Sequence, residues 1–360
     1  MDALTEEVRQ LKSRMESLEL LVINLSKQLQ MTNNPAIMAT TTTTVIESTP
    51  ALGINVFQAT KLPIFGNHNY KMIAELHIEE DISCLTLSNN SNHLTTGLNN
   101  GEIVVFDLIK LKKISEHKVN NNLPVLCLQY NRDDSILCAC SDKIISIFAC
   151  CTGKPYEHLK NILIHDKIVN SITFTHELNT FISVSHDNYM KIYNIHDNNC
   201  IHSNTSTNII TDVQYNYTNN TYLTVANNIK IFNYKNFQLI KSIENQDEIF
   251  YTASFNSSGT KIVSSGIFTG NIKVWNCNNY DLIYTFSLKQ TSCVPISFSK
   301  LNDQYIYFCK DSNSISFIDT TTDRIVQNID NIEEINNIYN SECLITYATV
   351  DQKIKVYSIM

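Results

Sequence analysis

The chain has 360 residues, 43% of them apolar and 17% charged, with a net charge of −8 and a pI near 5.7. That length can bury a sizeable core, and the composition is that of a globular protein, not a disordered one. The acidic balance argues against nucleic acid as the main partner. No apolar run approaches the ~18 residues of a membrane span, so membrane insertion is not expected. The charged start, Met1 to Arg9, lacks the apolar core of a secretion signal.

In chain order, the first element is residues 1–30, where the apolar period is 3.5. Leu4, Leu11, Leu18 and Leu25 recur every seven residues, and Val8, Met15, Val22 and Leu29 each follow a leucine by four. With the leucines at d and the second set at a, four heptads form a coiled-coil seam that Gly and Pro nowhere interrupt. Val at a with Leu at d favours a parallel homodimer. In that register Glu7 faces the partner's Lys12 and Arg14 faces the partner's Glu19, each pair worth about 0.2–1 kcal/mol at a surface. Leu21 falls at g and widens the stripe, which leaves a trimer or a third helix open. An amphipathic helix lying on the rest of the chain is the competing reading. A stretch this short makes only a modest coil.

Residues 31–69 lose the helical pattern. Asn33-Asn34-Pro35, the run Thr40 to Thr44, Pro50, Gly53, Pro63 and Gly66 read as a flexible or extended linker. If flexible, such a segment spans roughly 30–35 Å on average. Val56-Phe57 and Ile64-Phe65 are apolar enough to clip the linker to a neighbouring surface.

Residues 70–360 repeat a unit of strand, turn, strand, turn, strand. Its third strands are Ile103–Phe106, Ile145–Phe148, Met190–Tyr193, Ile229–Phe232, Ile272–Trp275, Ile315–Ile318 and Ile354–Tyr357, whose last residues are 42, 45, 39, 43, 43 and 39 apart. That period fits a four-stranded propeller blade. A second pattern is independent of the first. Leu87/Leu94, Tyr130/Leu137, Phe174/Phe181, Tyr215/Tyr222, Phe255/Ile262 and Phe298/Tyr305 are each seven apart and frame tight turns. The last unit, around Ile338 and Leu344, shortens this spacing.

On these residues, 70–360 resembles the WD-repeat β-propellers. The best match is Ser264-Ser-Gly with Gly270-Asn-Ile-Lys-Val-Trp275-Asn276, and the family's turn Asp corresponds to Asp142, Asp187, Asp311 and Asp351. The resemblance implies an all-β fold of seven blades, with Tyr70–Leu76 (70–76) completing the last one. It also implies structural turn anchors: a His165, Ser185, Asp187, Tyr193 hydrogen-bond set in the third unit, together with Asp351 and Trp275. The departures are one Trp, eight Gly, no Gly-His pair, and Asn227-Asn228 where the fourth unit lacks its Asp.

The chain shows no phosphate loop, zinc cluster, nucleophile elbow or paired-histidine helix, so no catalytic residue, cofactor or metal is expected. His186-Asp187 reads as a turn before an acid–base pair, and Cys150-Cys151 as a turn before a redox or metal site. The odd set of eleven cysteines, several in apolar runs, fits a reducing compartment, the cytoplasm or the nucleus, and not secretion. The short basic stretch Lys110 to Lys118 reads as a solvated strand-and-turn face.

What is left is a binding rim for proteins or peptides. Turns between second and third strands place Asn99, Asn100, Asp142, His186, Phe268 and Asp311 there, beside Asp187 and Asp351. The acids favour a basic or polar peptide, and Phe268 stands out as an aromatic that the repeat does not require to be buried. The expected function is a non-catalytic scaffold that self-associates through its coil, a layout that resembles coiled-coil/WD-repeat corepressors and organelle adaptors. The alternatives are a hydrolase on a propeller, with rim acids and histidines as its site, and a helix that pairs with another protein's helix.

Overall fold

The computed structural model describes residues 54–55, 70–150, 154–244, 249–267, 270–287, 296–300, 303–311, 313–322, 324–330, 334–340 and 344–359. The heptad segment 1–30 and Phe268 lie outside the described residues.

Seven antiparallel sheets follow one another around a central axis. Blade one consists of Ile82–Leu87, His93–Leu98, Glu102–Asp107 and Lys112–Lys118, from innermost to outermost strand. Blades two to six occupy 125–162, 169–205, 212–243, 250–286 and 296–330 in the same order. Blade seven takes three strands from the end of the chain, Ile335–Asn340, Leu344–Thr349 and Lys353–Ile359. Its fourth strand is Tyr70–His77, paired antiparallel from Tyr70 opposite Ile359 to His77 opposite Lys353. Both ends of the propeller are thereby held in one sheet, and no blade is left with an open third strand. Within the stretch read as linker, Ile54–Asn55 adds a fifth strand to this blade, opposite Leu76 and Glu75. The free edge of Tyr70–His77 offers the N–H and C=O groups that such a strand needs.

The sequence pattern follows from burial. A middle strand has a neighbouring blade on each face, so both sides of Thr180–Ser185 and Leu344–Thr349 are buried throughout. Outer strands such as Asn199–Thr205 are largely exposed. Each gap between neighbouring blades holds an apolar cluster. Phe106 and Leu94 of blade one meet Leu76 and Ile354 of blade seven, and Phe174 and Phe181 of blade three meet Ile145 and Ile147 of blade two. Burying one such side chain stabilises the fold by about 1.5–3 kcal/mol.

The apolar pairs spaced by seven are direct cross-strand partners in blades one to five, for example Tyr130 with Leu137 and Phe255 with Ile262. Blade six departs. Phe298 pairs with Ile306 instead of Tyr305, because its hairpin is one residue longer. In blade seven Ile345, opposite the third-strand residue Tyr357, pairs with Asn340, so the spacing of seven shortens to five there, although Ile338 and Leu344 are not themselves partners.

On the side of the first hairpins, polar turns tie blade to blade. The Asp134 carboxylate of blade two accepts from Asn89 N (2.7 Å), Asn89 Nδ2 (2.8 Å) and Asn90 N (2.9 Å) of blade one. Asp303 of blade six accepts likewise from Ser257 N (2.7 Å) and Ser258 N (2.8 Å) of blade five.

Candidate interaction surface

Four antiparallel strands per blade put two kinds of connection on one side of the ring: the turn between second and third strands, and the loop that enters the first. Backbone hydrogen bonds join the two. Asn99 N donates to Asp81 O (2.9 Å), Val169 N to Asp142 O (2.7 Å), His186 N to Ile168 O (2.9 Å) and Ile78 N to Gln352 O (3.0 Å). In blade one Gly101 has φ +86°, and a Cβ there would lie 2.3 Å from Asn120 O, so only glycine fits where turn and entry loop touch.

Blade three holds the most developed polar set. The His165 ring is buried. Its Nδ1 donates to Asp187 Oδ2 (2.9 Å), and Ser183 Oγ donates to its Nε2 (2.8 Å), which fixes the tautomer. Asp187 Oδ1 accepts from Tyr189 N (2.9 Å) and Oδ2 from Asp166 N (3.1 Å). Burial alone would raise the Asp187 carboxyl; the hydrogen bonds from Tyr189, Asp166 and His165 outweigh it and hold the group below the usual carboxylate range. Burial pushes the His165 pKa down against the pull of Asp187, and the ring stays neutral.

The membership of this set differs from the expected one. The hydroxyl that meets His165 belongs to Ser183 and not to Ser185. Ser185 Oγ instead accepts from Asp187 N (3.0 Å) and donates to Lys167 O (3.2 Å), while the Tyr193 hydroxyl donates to Asn198 Oδ1 (2.8 Å). Residues 183 and 185 share a strand face, and the sequence does not say which one His165 reaches.

The other singled-out residues fall as follows. Asn99 is exposed, and Asn100 closes its own turn by accepting from Glu102 N (3.0 Å). Asp142, half-buried, has φ +52°. His186 is half-buried beside Asp187. Asp311 ends the strand Tyr305–Asp311, its backbone opposite Ser314. Asp351 pairs with Lys353 and accepts from the Thr349 hydroxyl; burial would raise its pKa, but these partners lower it. Trp275 Nε1 donates to Ser264 Oγ (2.9 Å), at the strand position that Ser183 fills in blade three.

Two features of this side carry no signal in the sequence. One is a set of exposed apolar side chains: Leu123 (43%), Leu163 (64%) and Ile209 (45%) in the entry loops, and Leu126 (39%) and Tyr251 (47%) in first strands. Leu126 and Tyr251 sit where the pairing register jumps, from Val125 to Cys127 and from Phe250 to Thr252. A bulge turns each of them away from the sheet. The other is Asp212, which clasps three blades near the axis. It accepts from Ser171 Oγ of blade three (2.9 Å), Thr252 Oγ1 of blade five (2.7 Å) and its own neighbour Val213 N (2.8 Å). Burial raises its carboxyl above the usual range in spite of these bonds.

Comparison with known families bears on two stretches, 109–148 and 157–194, which match the model of the WD domain, G-beta repeat. Each runs from the outer strand of one blade through three strands of the next. Two of the seven units thus resemble the WD repeat in sequence. The offset between sequence repeat and blade explains why Tyr70–His77 has to complete the last sheet. No curated protein matches the chain. Among the described residues no helix is long and apolar enough to cross a membrane, and no group of three or more His, Cys, Asp or Glu is placed to hold a metal ion.

Proposed function

We propose that the chain is a non-catalytic adaptor that binds a protein or peptide on the side of the propeller where the first strands begin, and self-associates through residues 1–30 as a parallel homodimer. WD-repeat propellers are in general protein-interaction scaffolds, and the observation that carries the reading for this chain is the exposed apolar set Leu123, Leu126, Leu163, Ile209 and Tyr251 on one side. Tyr251 is of the residue type enriched among interface anchors, and the aliphatic side chains add apolar area that a partner would bury. Glu79, Glu80 and Asp81 are exposed in the loop that enters blade one, which favours a partner with basic residues flanking its apolar anchors. The polar sets at Asp187 and Asp351 serve as turn anchors: their carboxylate oxygens are already engaged within the blade. The place of action is a reducing compartment, cytoplasm or nucleus.

The test is affinity capture with the full chain, the double variant Leu163→Asp/Tyr251→Asp, and a control with the same change on the outer wall, Leu239→Asp/Leu282→Asp. Partners kept by the wall variant and lost by the first variant are expected. Equal loss or equal retention in both would move recognition away from this side.

A further inference from the structure

Blade two carries three cysteines on one face. Cys138 and Cys140 lie in the middle strand Ile136–Ser141, buried in the apolar cluster between blades two and three, and Cys127 of the first strand packs against that cluster. Cys127 and Cys140 are direct antiparallel partners, and both are free thiols. Directly opposed residues of an antiparallel pair have Cα atoms ~4.5–5.5 Å apart, inside the ~4.4–6.8 Å that a disulfide spans. Cys138 faces Gln129, so it is only diagonal to Cys127, and diagonal neighbours are about 7–8 Å apart, at or beyond that limit. Register therefore selects one pairing. The two sulfurs also sense each other: the Cys127 thiol, ahead of burial, is the foremost cause that holds the Cys140 thiol well above its ordinary pKa. Cys140 and Cys138 are buried, whereas Cys127 is half-buried and follows the exposed bulge residue Leu126. Access is thus graded within the pair.

We propose that Cys127 and Cys140 form a reversible redox site, with Cys127 the thiol oxidised by a peroxide and Cys140 the thiol that resolves it into a cross-strand disulfide. In the first step the Cys127 sulfur attacks one oxygen of hydrogen peroxide. The O–O bond breaks, one water leaves, and Cys127 becomes a sulfenic acid. In the second step the Cys140 sulfur attacks that of Cys127. The S–O bond breaks, and the proton of Cys140 leaves with the hydroxyl as a second water. Two thiols lose two electrons in all, and one peroxide gains them. Its high pKa makes Cys140 a slow resolving thiol at neutral pH. A link between directly opposed strands is held in a geometry set by the sheet and not by the bond, which favours reduction by a dithiol.

The experiment uses the full chain. It is treated with hydrogen peroxide, alkylated under denaturing conditions, digested without reduction and mapped by mass spectrometry. A peptide pair linked through Cys127 and Cys140, two hydrogens lighter than the reduced pair and restored by dithiothreitol, is expected. In Cys140→Ser, Cys127 is expected to accumulate as a sulfenic acid that dimedone labels. Full alkylation of Cys127 and Cys140 after a peroxide dose that oxidises the exposed Cys200 would overturn the proposal, as would a link from Cys127 to any other cysteine. The map of the wild-type chain decides the matter even if the serine variant folds poorly.

Discussion

The Asp187 carboxylate accepts hydrogen bonds from a ring N–H and two backbone N–H groups with its side chain only 6% exposed, and the ring it holds is wholly buried. Asp187→Ala leaves the His165 Nδ1–H in a dry site without its acceptor. We expect a loss of about 2–4 kcal/mol, read as a lower denaturant midpoint at unchanged slope. The pair also gives the protein an acid-sensitive element. His165 has its folded pKa below the unfolded value of about 6.5, so as pH falls through that value the unfolded chain takes up a proton first and stability drops. Asp187, also shifted down, adds its own loss below the ordinary Asp value of about 3.9. Unfolding midpoints between pH 7.5 and 5 should fall in the wild type and fall less in His165→Gln; equal slopes would contradict this. At this scale the turn positions of Asp187 and Asp351 can be read from the sequence, because each stands six residues ahead of the last residue of a third strand. The choice of Ser183 over Ser185 cannot, because alternation puts both on one face.

At the scale of elements, the third strands stand where their period of roughly 42 residues places them, and Tyr70–His77 completes blade seven as the resemblance implies. Both strands that flank Lys353–Ile359 are long and well paired. A chain that begins at residue 78 would leave Lys353–Ile359 as a bare edge with Ile354, Val356 and Tyr357 on it, and such an edge invites pairing between molecules. Such a chain is expected to elute as soluble aggregate or to precipitate, while one that begins at residue 67 stays in solution; identical behaviour by size-exclusion chromatography would count against closure by this strand. Bulges were the illegible part. A register jump of one residue at Leu126 or Tyr251 leaves no mark in the apolar pattern of the strand, yet the fold turns those side chains outward. The longer hairpin after Phe298 is hidden for a similar reason, since Tyr305 and Ile306 are both apolar enough to serve as its partner.

For the whole molecule, the proposed function joins recognition on one side of the propeller with self-association through residues 1–30. Two propellers joined as proposed would raise each other's effective concentration on a partner that carries repeated motifs, and apparent affinity would rise with no new contact. Recognition and self-association are then separable, which makes removal of residues 1–30 the informative change. Light scattering should read a dimer mass for the full chain and a monomer mass for the shortened one. The most direct measurement is affinity capture followed by mass spectrometry with these two chains side by side. The same partners are expected on both, with lower recovery on the shortened chain. Partners that vanish when residues 1–30 are removed would contradict this, since recruitment would then belong to the helix and not to the propeller.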